Sequence, residues 1–116
     1  MYKIMDVAPN GDLRTLFHGI NGSRVVPQNV DIKANVKDGC RDGSGKRTYT
    51  SGWHTVETLD QAHDYLRFFW NLSNKVIVEC TISGKTWKKA HSRVDYVWLS
   101  EFINLGKIVW RYLEHD

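Results

Sequence analysis

Residues 75–82 read KVIVECTI, and this run indicates the secondary structure at the centre of the chain. Five of its eight residues are β-branched valine, isoleucine or threonine, which favour extended backbone and pack well on a pleated sheet. The turn-forming pair Ser83 and Gly84 follows directly. We therefore expect a central β-strand over residues 75–82 that ends at this pair.

Several strand patterns precede this central segment. Residues 2–7 alternate imperfectly between polar and apolar side chains, and the Asn-Gly pair at 10–11 favours a tight hairpin turn with a return strand over 13–17. Polar and apolar residues alternate again over 30–36, which is typical of a half-buried strand. Residues 48–56 are rich in strand-forming residues as well. The sequence therefore predicts a sheet built from many short strands.

One helix is expected between these strands and the central one. Thr58 and Gln61 have the spacing of a capping box, in which each side chain accepts a hydrogen bond from the other residue's backbone N–H. Apolar residues follow at helical spacing: Leu59, Ala62, Leu66 and Phe69. Turn-forming residues after Trp70 should end the helix, so we predict a helix over about 58–70.

The C-terminal third of the sequence fits two interpretations. Residues 94–105 are apolar enough for a strand or for a short helix near 97–103. We predict an α+β fold with an antiparallel sheet of about five or six strands. The main helix would pack on one face of this sheet, with the helix near 97–103 as an optional second one. A chain of 116 residues predicts a single domain over 1–116.

Composition points to a compact domain with an anionic ligand or partner. Hydrophobic residues make up 41% and charged residues 25%, close to globular averages. Aromatic residues reach 12%, a heavy load for a small domain, so some should be exposed and able to stack on a ligand. The formal net charge of +3 favours binding of anions.

Other functional classes are excluded by what the sequence lacks. Cys40 and Cys80 cannot form a disulfide framework, and neither cysteine nor histidine spacing suits a metal site. Residues 1–6 lack the apolar stretch of a signal peptide, and no apolar run is long enough to span a membrane. We expect a cytoplasmic protein that needs no metal or other cofactor and does not bind membranes.

Glycines, histidines and basic residues concentrate in three segments, 18–24, 41–54 and 85–93. Guanidinium and ammonium groups together with glycine backbone N–H groups can bind phosphates, and a nearby aromatic ring can stack on a base. The strongest candidate lies in the third segment and comprises Trp87, Lys88, Lys89, His91 and Arg93. The alternative interpretation is a solvated basic strand beside a partly buried tryptophan.

The histidines leave an enzymatic alternative open. His18 and His54 lie at predicted strand ends, where either could act as an acid or base beside a carboxylate. The aromatic residues at the end of the helix, Tyr65, Phe68, Phe69 and Trp70, fit a core or subunit interface, or one side of a ligand site. No nucleophile elbow or phosphate-binding loop motif is present in the sequence.

Four motifs together resemble one known family. They are LFHGINGSR at 16–24, DGSG at 42–45, YTSGWH at 49–54 and KAHSR at 89–93, with the predicted helix between the third and fourth. This set is similar to the phage Thoeris anti-defence sponge proteins. The resemblance implies a small α+β protein that sequesters cyclic ADP-ribose isomers, or cyclic oligonucleotides, without catalysis. It also implies a dimer or a hexamer, with ligand bound at subunit interfaces by arginines and aromatic residues.

The family's paired basic contacts are best compared here with Lys89 and Arg93, with His91 between them and Phe68 or Phe69 as the stacking ring. Independently of the resemblance, the basic and histidine residues suggest a second anion site. Its candidates, taken from the residues alone, are Arg24, Arg47 and His54, with His18 as a further contact. We therefore expect a phage-encoded protein that binds and sequesters a cyclic nucleotide immune signal. The alternatives are a nucleotide- or ADP-ribose-processing enzyme that uses His18 or His54, and an accessory protein that binds a host protein or nucleic acid.

Overall fold

The structure is a computed structural model of the chain. It describes residues 1–16, 25–34, 40–41, 48–49 and 51–112. The sequence-predicted site residues His18, Arg24 and Arg47 lie outside these ranges. All other candidate residues of the predicted site are described.

The chain forms eight strands and one helix within the described ranges. In chain order these are β1 (Tyr2–Val7), β2 (Leu13–Arg14), β3 (Asp31–Lys33), β4 (Cys40–Arg41), β5 (Thr48–Tyr49), β6 (Trp53–Thr55), α1 (Leu59–Leu66), β7 (Lys75–His91) and β8 (Asp95–Arg111). Strands β2, β1, β7, β8 and β3 lie side by side in that order, and β6 also pairs with β8. Strands β4 and β5 pair only with each other in the described residues. The main sheet is antiparallel and curls into a half-barrel.

Strands β7 and β8 are each 17 residues long and form a hairpin, which is the largest element of the described fold. Their register runs from Val76 opposite Arg111 to His91 opposite Asp95. Seventeen extended residues would span about 56 Å, whereas the longest dimension of the molecule is 45 Å. The hairpin must therefore coil along its length, and register shifts along it supply local bends.

The predicted end of the central strand is wrong, because residues 83–84 form a bulge instead of a turn. The register shifts between Ser83 and Thr86 while both strands continue. Gly84 adopts a φ of +73°, and a Cβ there would lie 2.6 Å from the Glu101 carboxylate and 2.8 Å from the Phe102 ring. Glycine is needed at this position for its backbone conformation and for the close approach of strand β8. The same residue type that marks a turn in the sequence thus marks a bend within a longer strand.

The predicted fold class is also wrong. Among the described residues, strands account for 58% and helix for 9%, so this part of the molecule is a curled sheet and not a sheet covered by a helical layer. The helix near 97–103 does not form, because these residues lie in the middle of strand β8. Val97 and Leu99 are buried opposite Lys89 and Trp87 of strand β7, so tertiary pairing decides between the two interpretations of this apolar run.

Helix α1 begins where the sequence predicts and ends earlier. Thr58 is the N-cap, and both hydrogen bonds of the capping box with Gln61 are formed. The N–H groups of Phe68 and Phe69 donate to carbonyls three residues earlier, at 3.2 and 3.1 Å, which tightens and ends the last turn. The helix is therefore eight residues long and does not reach Trp70.

Two groups of buried side chains stabilise the fold. The first contains Met5, Leu13, Val26, Trp53, Val76, Val78, Cys80, Ile103 and Leu105. The second contains Ile4, Val56, Ala62, Leu66, Ile77, Val94 and Val97. Successive residues 76–78 alternate between the two groups, so the start of strand β7 is buried on both faces. This explains the continuous apolar run at the start of strand β7. Helix α1 contributes Ala62 and Leu66 to the second group.

Candidate functional site

The far end of the β7–β8 hairpin brings together the strongest of the predicted site residues. His91 and Asp95 are the last paired residues, and residues 92–94 connect the strands. The Tyr96 N–H donates to the Val94 carbonyl at 2.8 Å across Asp95, whose φ is +72°. This pattern is that of a γ-turn and reverses the chain within a few residues. The connection therefore places Arg93 at the extreme tip of the hairpin.

The His91 ring holds the backbone of this connection. The Arg93 N–H donates to His91 Nδ1 at 3.2 Å, so this ring nitrogen is the acceptor and carries no proton when the bond is formed. The ring also approaches helix α1, with the centroids of His91 and Tyr65 5.2 Å apart. His91 thus joins the hairpin tip to the end of the helix.

Arg93 lies over an exposed aromatic ring. Its guanidinium carbon is 4.7 Å from the centre of the Phe68 ring, within the range of a cation–π contact. Phe68 is 50% exposed although it is fully apolar. We call Tyr65, Phe68, His91 and Arg93 the tip cluster.

Lys89 and Phe69 extend the tip cluster in different ways. Lys89 lies two residues before His91 on strand β7, so both side chains are on the same face, and Lys89 is half-buried there. Phe69 instead packs against the second core group, 5.5 Å from Tyr65 and with the Lys75 ammonium 5.5 Å from its ring. Of the two phenylalanines that the sequence left as alternatives, Phe68 therefore offers the more accessible ring.

The charge at the tip is positive and open to solvent. Among the described residues no carboxylate forms an ion pair with Arg93, and its side chain is exposed. Lys75, by contrast, forms an ion pair with Asp6 at 2.6 Å, with both side chains largely buried. The guanidinium of Arg93 is thus available for a bidentate contact with a phosphate or carboxylate.

A second cation–aromatic cluster lies on the other face of the same hairpin. The Lys88 ammonium is 4.5 Å from the ring centre of Tyr96 and 5.2 Å from that of Trp98. The Tyr96 hydroxyl donates to Glu57, and this hydrogen bond raises the pKa of the tyrosine. The sequence analysis grouped Lys88 with Lys89 and Arg93 and did not find its contacts with Tyr96 and Trp98, because these depend on the pairing of Lys88 with Trp98.

His54 lies apart from the tip cluster. It is opposite Leu99 on strand β8, four residues from Asp95, which corresponds to about 14 Å along the strand. Its Nδ1 lies 3.1 Å from the Gly52 carbonyl, a contact in which the ring nitrogen is the donor. The structure therefore does not bring His54 together with Lys89 and Arg93.

A half-buried lysine next to His54 was also missed by the sequence analysis. Lys3 donates to the His54 carbonyl at 2.8 Å and lies 5.8 Å from the Trp53 ring. Burial lowers the pKa of Lys3 to about 8, and burial raises the pKa of the nearby Cys80 thiol to about 11. The strand pattern of residues 2–7 could have placed Lys3 on the sheet, yet only the curl of the sheet buries it.

A shallow aromatic pocket lies beside the end of the helix. Its volume is about 300 Å³, and its lining residues are Phe69, Trp70, Asn71, Leu72, Ser73 and Tyr112. Trp70 is fully exposed. The pocket has no charged side chain among these lining residues, so it is less suited to anions than the tip cluster.

Within the described residues, no group of three or more histidine, cysteine, aspartate or glutamate side chains is arranged to hold a metal ion. In the same part of the chain, no helix has the length and apolar character needed to cross a membrane. Comparison with protein-family models, curated proteins and solved structures finds no match to this chain in any of the three.

Proposed function

We propose that this protein binds a nucleotide-derived anion at the tip of the β7–β8 hairpin and sequesters it without chemical change. The observation that carries this proposal is the exposed Phe68 ring with the Arg93 guanidinium 4.7 Å from its centre. A nucleotide offers an anionic phosphate for the cation and a flat base for the ring. The two groups at the tip match these two parts of one ligand.

The Arg93 guanidinium lies over one face of the Phe68 ring. A base that stacks on this face displaces the guanidinium toward the phosphate, which replaces a cation–π contact with a stronger charge-assisted hydrogen bond. Lys89 adds a second cation on the face of strand β7 that carries His91. A lysine contacts phosphate as a point charge and gives less geometric selectivity than a second arginine would.

The state of His91 supports binding over catalysis at this site. Its Nδ1 accepts the Arg93 N–H and orders the tip, so this nitrogen is not available to remove a proton from a ligand. A sequestering protein needs an ordered pocket and tight binding, and does not need an acid–base group. The resemblance of the KAHSR motif and its partners to phage sponge proteins supports a cyclic ADP-ribose isomer or a cyclic oligonucleotide as the ligand.

A thermal-shift screen tests this proposal. The purified protein is heated with cyclic ADP-ribose isomers, cyclic di- and trinucleotides, NAD and ADP-ribose, and released ligand is analysed by chromatography. A ligand at a hundred times its Kd stabilises the protein by about 2.7 kcal/mol, a shift of several degrees in a domain of this size. We expect a shift with at least one cyclic nucleotide, which is recovered intact.

Two exposed-residue variants locate the site. Arg93→Ala and Phe68→Ala should each reduce the ligand-induced shift to less than half, because each removes one of the two ligand contacts. Arg67→Ala is the matched control, since Arg67 is adjacent to Phe68, 79% exposed and paired only with Asp64 on the helix surface in the described residues. A shift that survives both test variants would overturn the site, and a chemically altered ligand would overturn sequestration without catalysis.

A further inference from the structure

The shallow pocket beside the end of helix α1 presents aromatic rings to solvent. Trp70 is fully exposed and Tyr112 is 42% exposed, and both line the pocket. Phe69 lines it as well and packs against the second core group, which holds this third ring in place. Exposed apolar patches mark interaction sites, and tryptophan and tyrosine are enriched among the residues that dominate binding energy. The pocket is therefore a candidate contact surface for a partner.

The polar side chains of this pocket offer mainly hydrogen-bond donors. Asn71 Oδ1 accepts from both the N–H and the hydroxyl of Ser73, at 3.0 and 2.7 Å. These bonds occupy the amide oxygen of Asn71, while its NH2 group has no partner among the described residues. In the same part of the chain, the Trp70 indole N–H and the Tyr112 hydroxyl also have no partner. A complementary ligand therefore presents hydrogen-bond acceptors.

The charge and shape of the pocket narrow the ligand further. None of the lining residues is charged. The Lys75 ammonium lies 5.5 Å from the centre of the Phe69 ring, but its charge is balanced by Asp6 at 2.6 Å. Sites for small molecules bury most of their ligand, which a shallow pocket of about 300 Å³ does not do. An extended, uncharged segment that lies across the rings fits this surface better.

We propose that this pocket binds a proline-rich segment of another protein in the polyproline II conformation. Such a segment presents apolar pyrrolidine rings to the aromatic side chains and backbone carbonyls to the donors, and its prolines have no N–H that needs an acceptor. Its conformation forms before binding, so docking on a shallow aromatic surface costs little entropy. The chain itself has only two prolines, Pro9 and Pro27, so a partner supplies the segment. No lining residue belongs to the tip cluster, so this interaction holds or fails independently of nucleotide binding.

Fluorescence anisotropy with a labelled peptide tests the proposal. The probe is an octaproline peptide with a fluorophore at its N-terminus and an amidated C-terminus, and the control peptide has alternating glycine and serine with the same label. We expect saturable binding of octaproline at least about tenfold tighter than binding of the flexible control. Because no ion pair forms, this binding should change little between about 50 and about 500 mM NaCl. Absence of saturable binding, a strong loss with salt, or displacement of the probe by the neutral sugar maltotriose would overturn the proposal.

Variants of the two exposed aromatic residues locate the peptide site. Trp70→Ala and Tyr112→Ala should each weaken octaproline binding by about tenfold or more, because each removes a ring and a donor, and both side chains are exposed enough for the fold to be retained. Val30→Ala is the matched control, since Val30 is 44% exposed and does not line the pocket, and it should bind octaproline like the wild type. Arg93→Ala should also retain this binding, because Arg93 belongs to the tip cluster. Unchanged binding in Trp70→Ala or Tyr112→Ala, or an equal loss in Val30→Ala, would overturn the assignment.

Discussion

At the scale of single residues, hydrogen bonding and burial give similar side chains different roles. Arg93 is exposed over Phe68, whereas Lys75 is held by Asp6 in a largely buried ion pair. Lys3 has a third environment, since it is half-buried and donates to a backbone carbonyl instead of a carboxylate. The basic and aromatic residues next to Arg93 in the sequence predict a functional role for it, but Phe68 is not among these neighbours. That contact arises only when the helix end meets the hairpin tip.

The lowered pKa of Lys3 predicts a pH-dependent stability. Below pH 8 the ammonium is charged in both the folded and the unfolded chain, and burial makes that charge costly in the folded state. Between about pH 8 and 10.5 the unfolded chain retains more protons, so the free energy of unfolding contributed by Lys3 rises with pH. In Lys3→Met this rise should be lost, and the stability difference between variant and wild type should change by up to about 3 kcal/mol across this range.

Urea denaturation of both proteins from pH 7 to 10.5 measures this difference. Cys80 has the opposite trend, because its raised pKa lowers stability as pH increases above 9, but both proteins share it and its effect largely cancels. Lys107→Met, at an exposed lysine, is the control and should show a constant difference from wild type. A constant difference for Lys3→Met as well would show that Lys3 keeps its charge without cost.

At the scale of elements, local signals predicted the starts of strands and helix better than their lengths. The capping box of Thr58 and Gln61 is confirmed because it depends only on residues three apart. The strand over 75–82 is confirmed. Its extension to His91 could not be predicted, because Ser83 and Gly84 are residue types that usually indicate a turn. At Ser83 the strand is kept extended by pairing with Phe102 on β8, a partner distant in sequence that cannot be recognised from a local pattern.

The bulge at Gly84 yields a prediction about the hairpin. Gly84→Ala should destabilise the protein by about 2–4 kcal/mol. Alanine is strained at the positive φ of this position, and its Cβ would also lie too close to the side chains of Glu101 and Phe102. Gly11→Ala is the matched control, since Gly11 has a φ of +93° but no atom lies within 4 Å of an added Cβ. Backbone strain alone should lower the stability of this variant by about 1–2 kcal/mol. Thermal or urea unfolding of the two variants measures both values. Equal costs would contradict the close packing of strand β8 at the bulge.

At the scale of the whole molecule, one coiled hairpin separates several surfaces. Its base is buried on both faces. Its far end carries the tip cluster on one face and the contacts of Lys88 with Tyr96 and Trp98 on the other. His54 and Lys3 lie nearer the middle of the sheet. The sequence analysis placed Lys88, Lys89, His91 and Arg93 in one candidate site. Only the register of the two long strands distributes them over distinct places, and that register is a property of the complete fold.

The most direct test of the central claim is an amide-resolved NMR titration of the protein with each cyclic ADP-ribose isomer and each cyclic dinucleotide. We predict that at least one ligand produces saturable changes that centre on residues 65–69 and 89–95, and that these changes are lost in Arg93→Ala and retained in Arg67→Ala. Changes centred instead on residues 52–56 around His54, or no saturable change with any of these ligands, would contradict nucleotide binding at the hairpin tip.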